Sequence, residues 1–189
     1  MNKNDFANLT ILVTGIGGNV GQGVLRNIRS FMPKVRIVGT DTSEFTVGAR
    51  YCNKFYKVPY ATSQEFKDEF SSICNKENID LIIPTTDYEV YHIGLLSDQL
   101  PLALVSKPET TLLCLDKLKT YLHFKSNDIV FAESILPSQY DGRWDKTIVK
   151  PREGRGSRNL HYNPENISDF DDTYIVQKEL FGKEITTAF

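Results

Sequence analysis

The stretch that most restricts the fold is LTILVTG, residues 9–15, apolar or β-branched nearly throughout and ending in glycine. A run this short and this apolar reads as a strand buried on both faces, as in a parallel sheet. Val20, Val24, Leu25, Ile28, Phe31 and Met32 then recur at helical spacing, and Pro33 follows the stop. The alternation repeats downstream. VRIVGTD (35–41) is a second strand, KFYKVP (54–59) a weaker third, IDLIIPTTD (79–87) a fourth and LALV (102–105) a fifth. Between them, three hydroxyl residues stand three places before a glutamate, the spelling of a capping box: Thr62 with Glu65, Thr86 with Glu89, Ser106 with Glu109. Residues 1–110 are therefore expected to form an α/β unit around a doubly wound parallel sheet.

Around Pro108 the pattern changes. A helix beginning at Asp116 (DKLKTYLHF) precedes strand-like pieces at 130–136, 147–150, 158–162, 174–178 and 184–189. Strands separated by short turns predict a smaller α+β unit with antiparallel strands over 111–189. The composition, 40% apolar and 24% charged, is that of an ordinary globular protein. A net charge of −2 gives no overall pull toward nucleic acid or membrane, and MNKNDFANLT lacks the apolar core of a secretory signal. A cytoplasmic protein is expected. Cys52, Cys74 and Cys114 form no C-x-x-C pair and read as small buried apolar groups. His92, His123 and His161 lack metal-ligand spacing and read as surface or packing residues.

Two glycine clusters compete for a ligand. In the first, Gly15, Gly18 and Gly21 fit T-G-x-x-G-x-x-G, and Asp41 ends the second strand where a ribose-binding acid would sit. That spelling supports an NAD-dependent epimerase or oxidoreductase, and equally a strand packed tightly on its helix. A Tyr-x-x-x-Lys spelling is present at Tyr121 and Lys125, on the helix that opens the second unit. The second cluster is TIVKPREGRGSRNL, 147–160. From Lys146 to Arg158 five cations face only Glu153, so this window is +4 and the rest of the chain −6. Gly154 and Gly156 free backbone N–H groups for phosphate oxygens, Ser157 adds a hydroxyl, and Lys150, Arg152, Arg155 and Arg158 supply countercharge. The G-x-x-x-x-G-K-[ST] spelling of a P-loop is absent. Downstream, YIVQKELFGKE (174–184) places Gln177 and Glu184 around a polar hinge able to read adenine and ribose.

With LDK (115–117), VKPREGRGSR (149–158) and VQKELFGKE (176–184) in this order, the chain resembles the ATP-grasp superfamily, in particular its carbamoyl-phosphate-synthetase-like ligases. ILVTGIGGNVGQGVLRNIR, VGTD and DLIIPTTDYEV resemble the Rossmann-like pre-ATP-grasp domain of those enzymes, which does not itself bind NAD. The resemblance implies that Lys117 and Lys150 hold the α- and β-phosphates of ATP and that Arg152, Gly154, Arg155, Gly156 and Ser157 form a mobile loop over them. It implies adenine contacts from Gln177, Lys178 and Leu180, and a ribose contact from Glu184. The reaction implied is ATP-driven formation of an acyl phosphate from a carboxylate, then attack by an amine or similar nucleophile. The Mg²⁺ ligands of such enzymes are expected beyond Phe189, so the chain is read as an N-terminal fragment, inactive alone. A non-catalytic nucleotide-binding module stays open, as does self-association through the cut sheet edge.

Overall fold

In the computed structural model, residues 8–154, 156–183 and 185 are described, and the chain divides into two compact units, 1–111 and 112–189. The first unit holds β1 (Thr10–Val13), α1 (Asn19–Phe31), β2 (Arg36–Asp41), β3 (Lys54–Lys57), α2 (Phe66–Lys76), β4 (Leu81–Ile83), α3 (Asp87–Leu95) and β5 (Leu102–Ala103). The helix α4 (Pro108–Leu115) contains the division. The five strands form one sheet in the order β3-β2-β1-β4-β5, with every pairing parallel.

Period-two alternation along β1 builds a core on each face of this sheet. Ile11 and Val13 pack with Leu25 and Ile28 of α1 and with Ile37 of β2, whereas Leu12 packs with Phe66 and Phe70 of α2 and Ile93 of α3. The rings of Phe66 and Phe70 stack at 5.0 Å. Helices on both faces make the doubly wound α/β arrangement that the strand–helix alternation predicted.

Three local expectations need correction. The stripe α1 buries is Gly21, Leu25 and Ile28. Val20 and Phe31 lie roughly 80–100° round the helix from Gly21 and are solvent-exposed. Of the three proposed capping boxes only Thr86 with Glu89 forms: the Glu89 N–H donates to Thr86 Oγ1 at 3.4 Å and Thr86 Oγ1 donates to Glu89 Oε2 at 2.6 Å. Glu65 itself precedes α2, with Ser63 rather than Thr62 accepting its N–H, and Pro108 opens α4 at the position where a missing N–H is harmless. Finally, Cys74 is buried and Cys52 half-buried, but Cys114 is exposed. Thr86→Ala should destabilise the first unit by about 1 kcal/mol in chemical denaturation, the usual worth of an N-cap.

The second unit holds α5 (Lys117–Ser126), β6 (Ser134–Ile135), β7 (Thr147–Pro151), β8 (His161–Tyr162) and β9 (Tyr174–Lys178). Its strands form an antiparallel sheet in the order β6-β9-β7-β8. Residues 184 and 186–189 of the expected last strand lie outside the described residues. No helix among the described residues is long and apolar enough to cross a membrane.

Candidate functional site

Ligands of open α/β sheets bind beyond the carboxyl ends of the strands at the point where strand order reverses, here between β1 and β4. In this chain that crevice is filled from within. Gly15 turns the backbone at φ +57°, and a Cβ there would press on Thr85 and Thr86. Glu89, 6% exposed, accepts from Thr14 Oγ1 at 2.8 Å as well as from Thr86, and Thr85 Oγ1 donates to the Thr14 carbonyl at 2.7 Å. Asp41 Oδ2 accepts the Gly17 N–H at 2.7 Å, and Asp41 Oδ1 accepts the Ser43 N–H at 2.9 Å. Thus the acid expected at a ribose caps the glycine turn instead. A second carboxylate occupies the crevice where a pyrophosphate would need positive potential. The dinucleotide reading of the first glycine cluster is not favoured.

The second glycine cluster is built differently. Across an antiparallel pair, directly opposed residues share a face. Gln177 of β9 lies opposite Ile148 of β7 and Ser134 of β6, and Lys150 lies opposite Ile175, so Ser134, Gln177 and Lys150 share one face. On that face the Lys150 ammonium donates to Gln177 Oε1 at 2.7 Å, and Gln177 Nε2 donates to Ser134 Oγ at 2.9 Å. The opposite face carries Val149 and Val176, and beside them His161 packs on Phe170 and Tyr174, a packing role for this histidine.

The start of α5 is tied to the end of β7. Asp116, 3% exposed, caps the helix by accepting from the N–H groups of Leu118 (2.9 Å) and Lys119 (3.3 Å). The same carboxylate pairs with the Arg152 guanidinium at 2.5 Å and 3.3 Å, and Arg152 also donates to the Asp172 carbonyl. The next residue, Lys117, sends its ammonium to the carbonyl oxygens of Arg152 (3.3 Å) and Gly154 (3.0 Å). Burial, and then the nearby charge of Lys117, push the Lys150 ammonium below the ordinary lysine range. For Asp116 burial acts upward, but the Arg152 guanidinium and the two helix N–H groups outweigh it and hold the carboxyl below the usual range.

The loop after β7 takes left-handed or glycine-only conformations at Gly154 (φ +145°), Gly156 (φ +69°), Ser157 (φ +52°) and Asn159 (φ +56°). Four such residues within six keep its amides out of regular pairing. Arg155 and Glu184 lie outside the described residues. At the hinge, the Lys178 N–H donates to the Glu133 carbonyl at 2.9 Å, and Leu180 is exposed. An open cleft of about 810 Å³ runs beside the loop, lined by Lys119, Arg152, Gly154, Arg158, Asp172 and Tyr174 among others. Of the described residues that the resemblance assigns to the nucleotide, Arg152 and Gly154 line it, and Lys117, Lys150 and Gln177 do not. Asp116 and Asp172 on its wall are already bonded, to Arg152 and to Ser138.

The structure therefore joins Lys117, Lys150, Arg152 and Gly154 around the base of one loop, with Gln177 beside Lys150. Two expected contacts change. The Gln177 amide is spent on Lys150 and Ser134 rather than presented to an adenine edge, and Arg152 anchors the loop through Asp116 rather than standing over a ligand. The sequence reading missed Ser134 and the Asp116 carboxylate, although the aspartate before a helical pattern was a visible cap signal.

The two units carry the fold of the N-terminal half of ATP-grasp ligases. N5-carboxyaminoimidazole synthetase from Staphylococcus aureus, complexed with ADP, matches with a TM-score of 0.71 at 16% identity, over 92% of this chain and 48% of that one. The L-amino acid ligase from Bacillus licheniformis matches with a TM-score of 0.71 at 9% identity, over 92% and 44%. The biotin carboxylase domain of Hydrogenobacter thermophilus 2-oxoglutarate carboxylase, in complex with MgADP, ADP and bicarbonate, matches at 0.65 and 10% identity, over 89% and 43%. Residues 11–100 match the sequence model of the PylC-like N-terminal domain. No curated protein matches the chain by sequence. The chain spans about half the length of these solved relatives.

Proposed function

We propose that this chain is the nucleotide-holding N-terminal part of an ATP-dependent ligase that joins a carboxylate to an amine or similar nucleophile. The observation that carries the reading is the convergence of Lys117 and Lys150, from a helix start and a strand end, at the root of the 152–158 loop. The Lys117 ammonium donates to the Arg152 and Gly154 carbonyls, and Lys150 lies near the end of β7, two residues before Arg152. In water two such ammonium groups would separate; a site that holds them together is stabilised by a polyanion placed between them. Lys117 would trade the neutral Arg152 and Gly154 carbonyls for phosphate oxygens, and Gly154, Arg155, Gly156 and Ser157 would close over the phosphates. Backbone groups of Lys178 and Leu180 at the hinge would meet the adenine edge, with Glu184 at the ribose.

The N5-carboxyaminoimidazole synthetase and biotin carboxylase structures contain ADP, which agrees with an adenine nucleotide as ligand. Mg²⁺ would accompany the phosphates in this reading and would supply charge neutralisation there. Among the described residues no three His, Cys, Asp or Glu side chains gather into a metal site. Positioning and charge neutralisation by Lys117 and Lys150 are what this chain would contribute to acyl-phosphate formation.

The test is an NMR titration with ATP, ADP and NAD⁺. ATP and ADP should shift amides between 147 and 180, and NAD⁺ should shift none. Shifts centred on Gly15 to Gly21 with NAD⁺ alone would overturn the proposal.

A further inference from the structure

The hydrogen bonds around Lys150 run in one direction. Its ammonium donates to Gln177 Oε1 at 2.7 Å, Gln177 Nε2 donates to Ser134 Oγ at 2.9 Å, and Ser134 Oγ donates to the Ala132 carbonyl at 3.1 Å. Gln177 Nε2 also approaches that carbonyl at 3.5 Å. The chain fixes the amide's orientation, because a flipped amide would set its NH₂ against the ammonium and its oxygen against the Ala132 carbonyl. Gln177 is 9% exposed and Ser134 6%, so water does not substitute freely for either.

We propose that Gln177 is a positioning residue for the phosphate-binding lysine, whose neutral amide oxygen aims the Lys150 ammonium without neutralising it, leaving a polyphosphate as the counter-ion. The inference rests on the nucleotide reading above. Its physical content is a choice between two residues of nearly equal shape. A glutamate at this position would reach Lys150 equally well and would consume its charge in an ion pair. The amide supplies the same direction and leaves the charge available. Among the described residues no carboxylate pairs with Lys150. Among the described residues, the groups that face it include the neutral Gln177 and Ser134 chain from β9 and β6 and the cationic Lys117 from α5. Two like charges with a neutral orienter between sheet and helix favour an anion bearing several charges over a single carboxylate.

The experiment measures ATP affinity by calorimetry from neutral to strongly alkaline pH for the full chain, alongside NMR titration of the Lys150 ε-carbon without ligand. In the wild type, affinity should fall as pH rises through the lowered Lys150 pKa. Gln177→Glu should bind ATP about tenfold more weakly at neutral pH. It should also move both the Lys150 titration and the alkaline fall in affinity upward, since a carboxylate favours the ammonium. Gln177→Met removes the acceptor and should move both downward. The opposite signs separate charge from structure: a general loss of packing would weaken both variants and move neither midpoint upward, which would count against the proposal. A wild-type chain that binds no ATP overturns both this inference and the function. Wild-type binding with Gln177→Glu unchanged in affinity and in Lys150 titration overturns this inference alone.

Discussion

Lys150→Ala is expected to weaken ATP binding by roughly 1.5–3 kcal/mol, about ten- to a hundredfold, while leaving adenosine binding unchanged. The asymmetry follows from placement. Lys150 stands at the end of β7, one proline before the glycine loop, where phosphates would lie, and its ammonium is partly withdrawn from water beside Lys117. An ammonium in that setting is poorly solvated, so a phosphate oxygen replaces little hydration and its contribution is larger than at an open surface. The pH dependence has a definite sign. Because the Lys150 pKa lies below the ordinary lysine value, the charge is lost at lower pH than for a free lysine, and affinity falls as pH rises through it. Bound ATP favours the charged form, so binding near that pKa takes up a proton. Calorimetry in buffers of different ionisation enthalpy should detect the uptake in the wild type and lose it in Lys150→Ala. Equal losses for ATP and adenosine would show that Lys150 supports the fold rather than the phosphates.

The parallel sheet was legible because LTILVTG, VRIVGTD and IDLIIPTTD are compact apolar runs, and only burial on both faces accommodates such runs. The Thr86 cap was legible because it needs only local spacing. The Thr62 spelling was equally good and failed, since Ser63 lies one residue nearer and satisfies the Glu65 N–H. Periodicity placed α1 but overcounted its buried side, as Val20 and Phe31 sit at the margin of the stripe. For the candidate site, the basic glycine-rich spelling brought out the loop and Lys150, and the family resemblance added Lys117. What it could not show was where the polar side chains aim. Gln177 at a hinge reads as an adenine contact until the register sets it across from Ser134 and diagonal to Lys150. Arg152 reads as a free cation until the fold brings Asp116 to it from 36 residues away. Pairings of that range depend on the tertiary fold and leave no local mark.

Asp116→Ala should destabilise the second unit by about 2–4 kcal/mol, the larger part from leaving Arg152 without its partner. The carboxylate has two tasks: it closes the first turn of α5, and it holds Arg152 and with it the start of the loop. Losing the cap alone costs about 1 kcal/mol. The remainder is the cost of a half-buried guanidinium that loses its described salt-bridge partner and keeps only the Asp172 carbonyl among its described hydrogen bonds. The pH dependence again has a sign. The folded pKa of Asp116 is lowered, so its stabilisation is complete above the unfolded value of about 3.9 and is lost as pH falls through the folded value. Asp116→Asn keeps a cap acceptor and should show the smaller loss at neutral pH, with the acid-dependent part of the stability removed. Hydrogen exchange of the β7 and β9 amides would measure both variants within the second unit. Because Lys117 follows Asp116 directly and its N–H donates to the Arg152 carbonyl at 3.0 Å, fraying this turn should also detach Lys117 from the loop. ATP affinity should therefore fall in Asp116→Ala even where the sheet remains protected, and an unchanged affinity would separate Lys117 from the phosphate site.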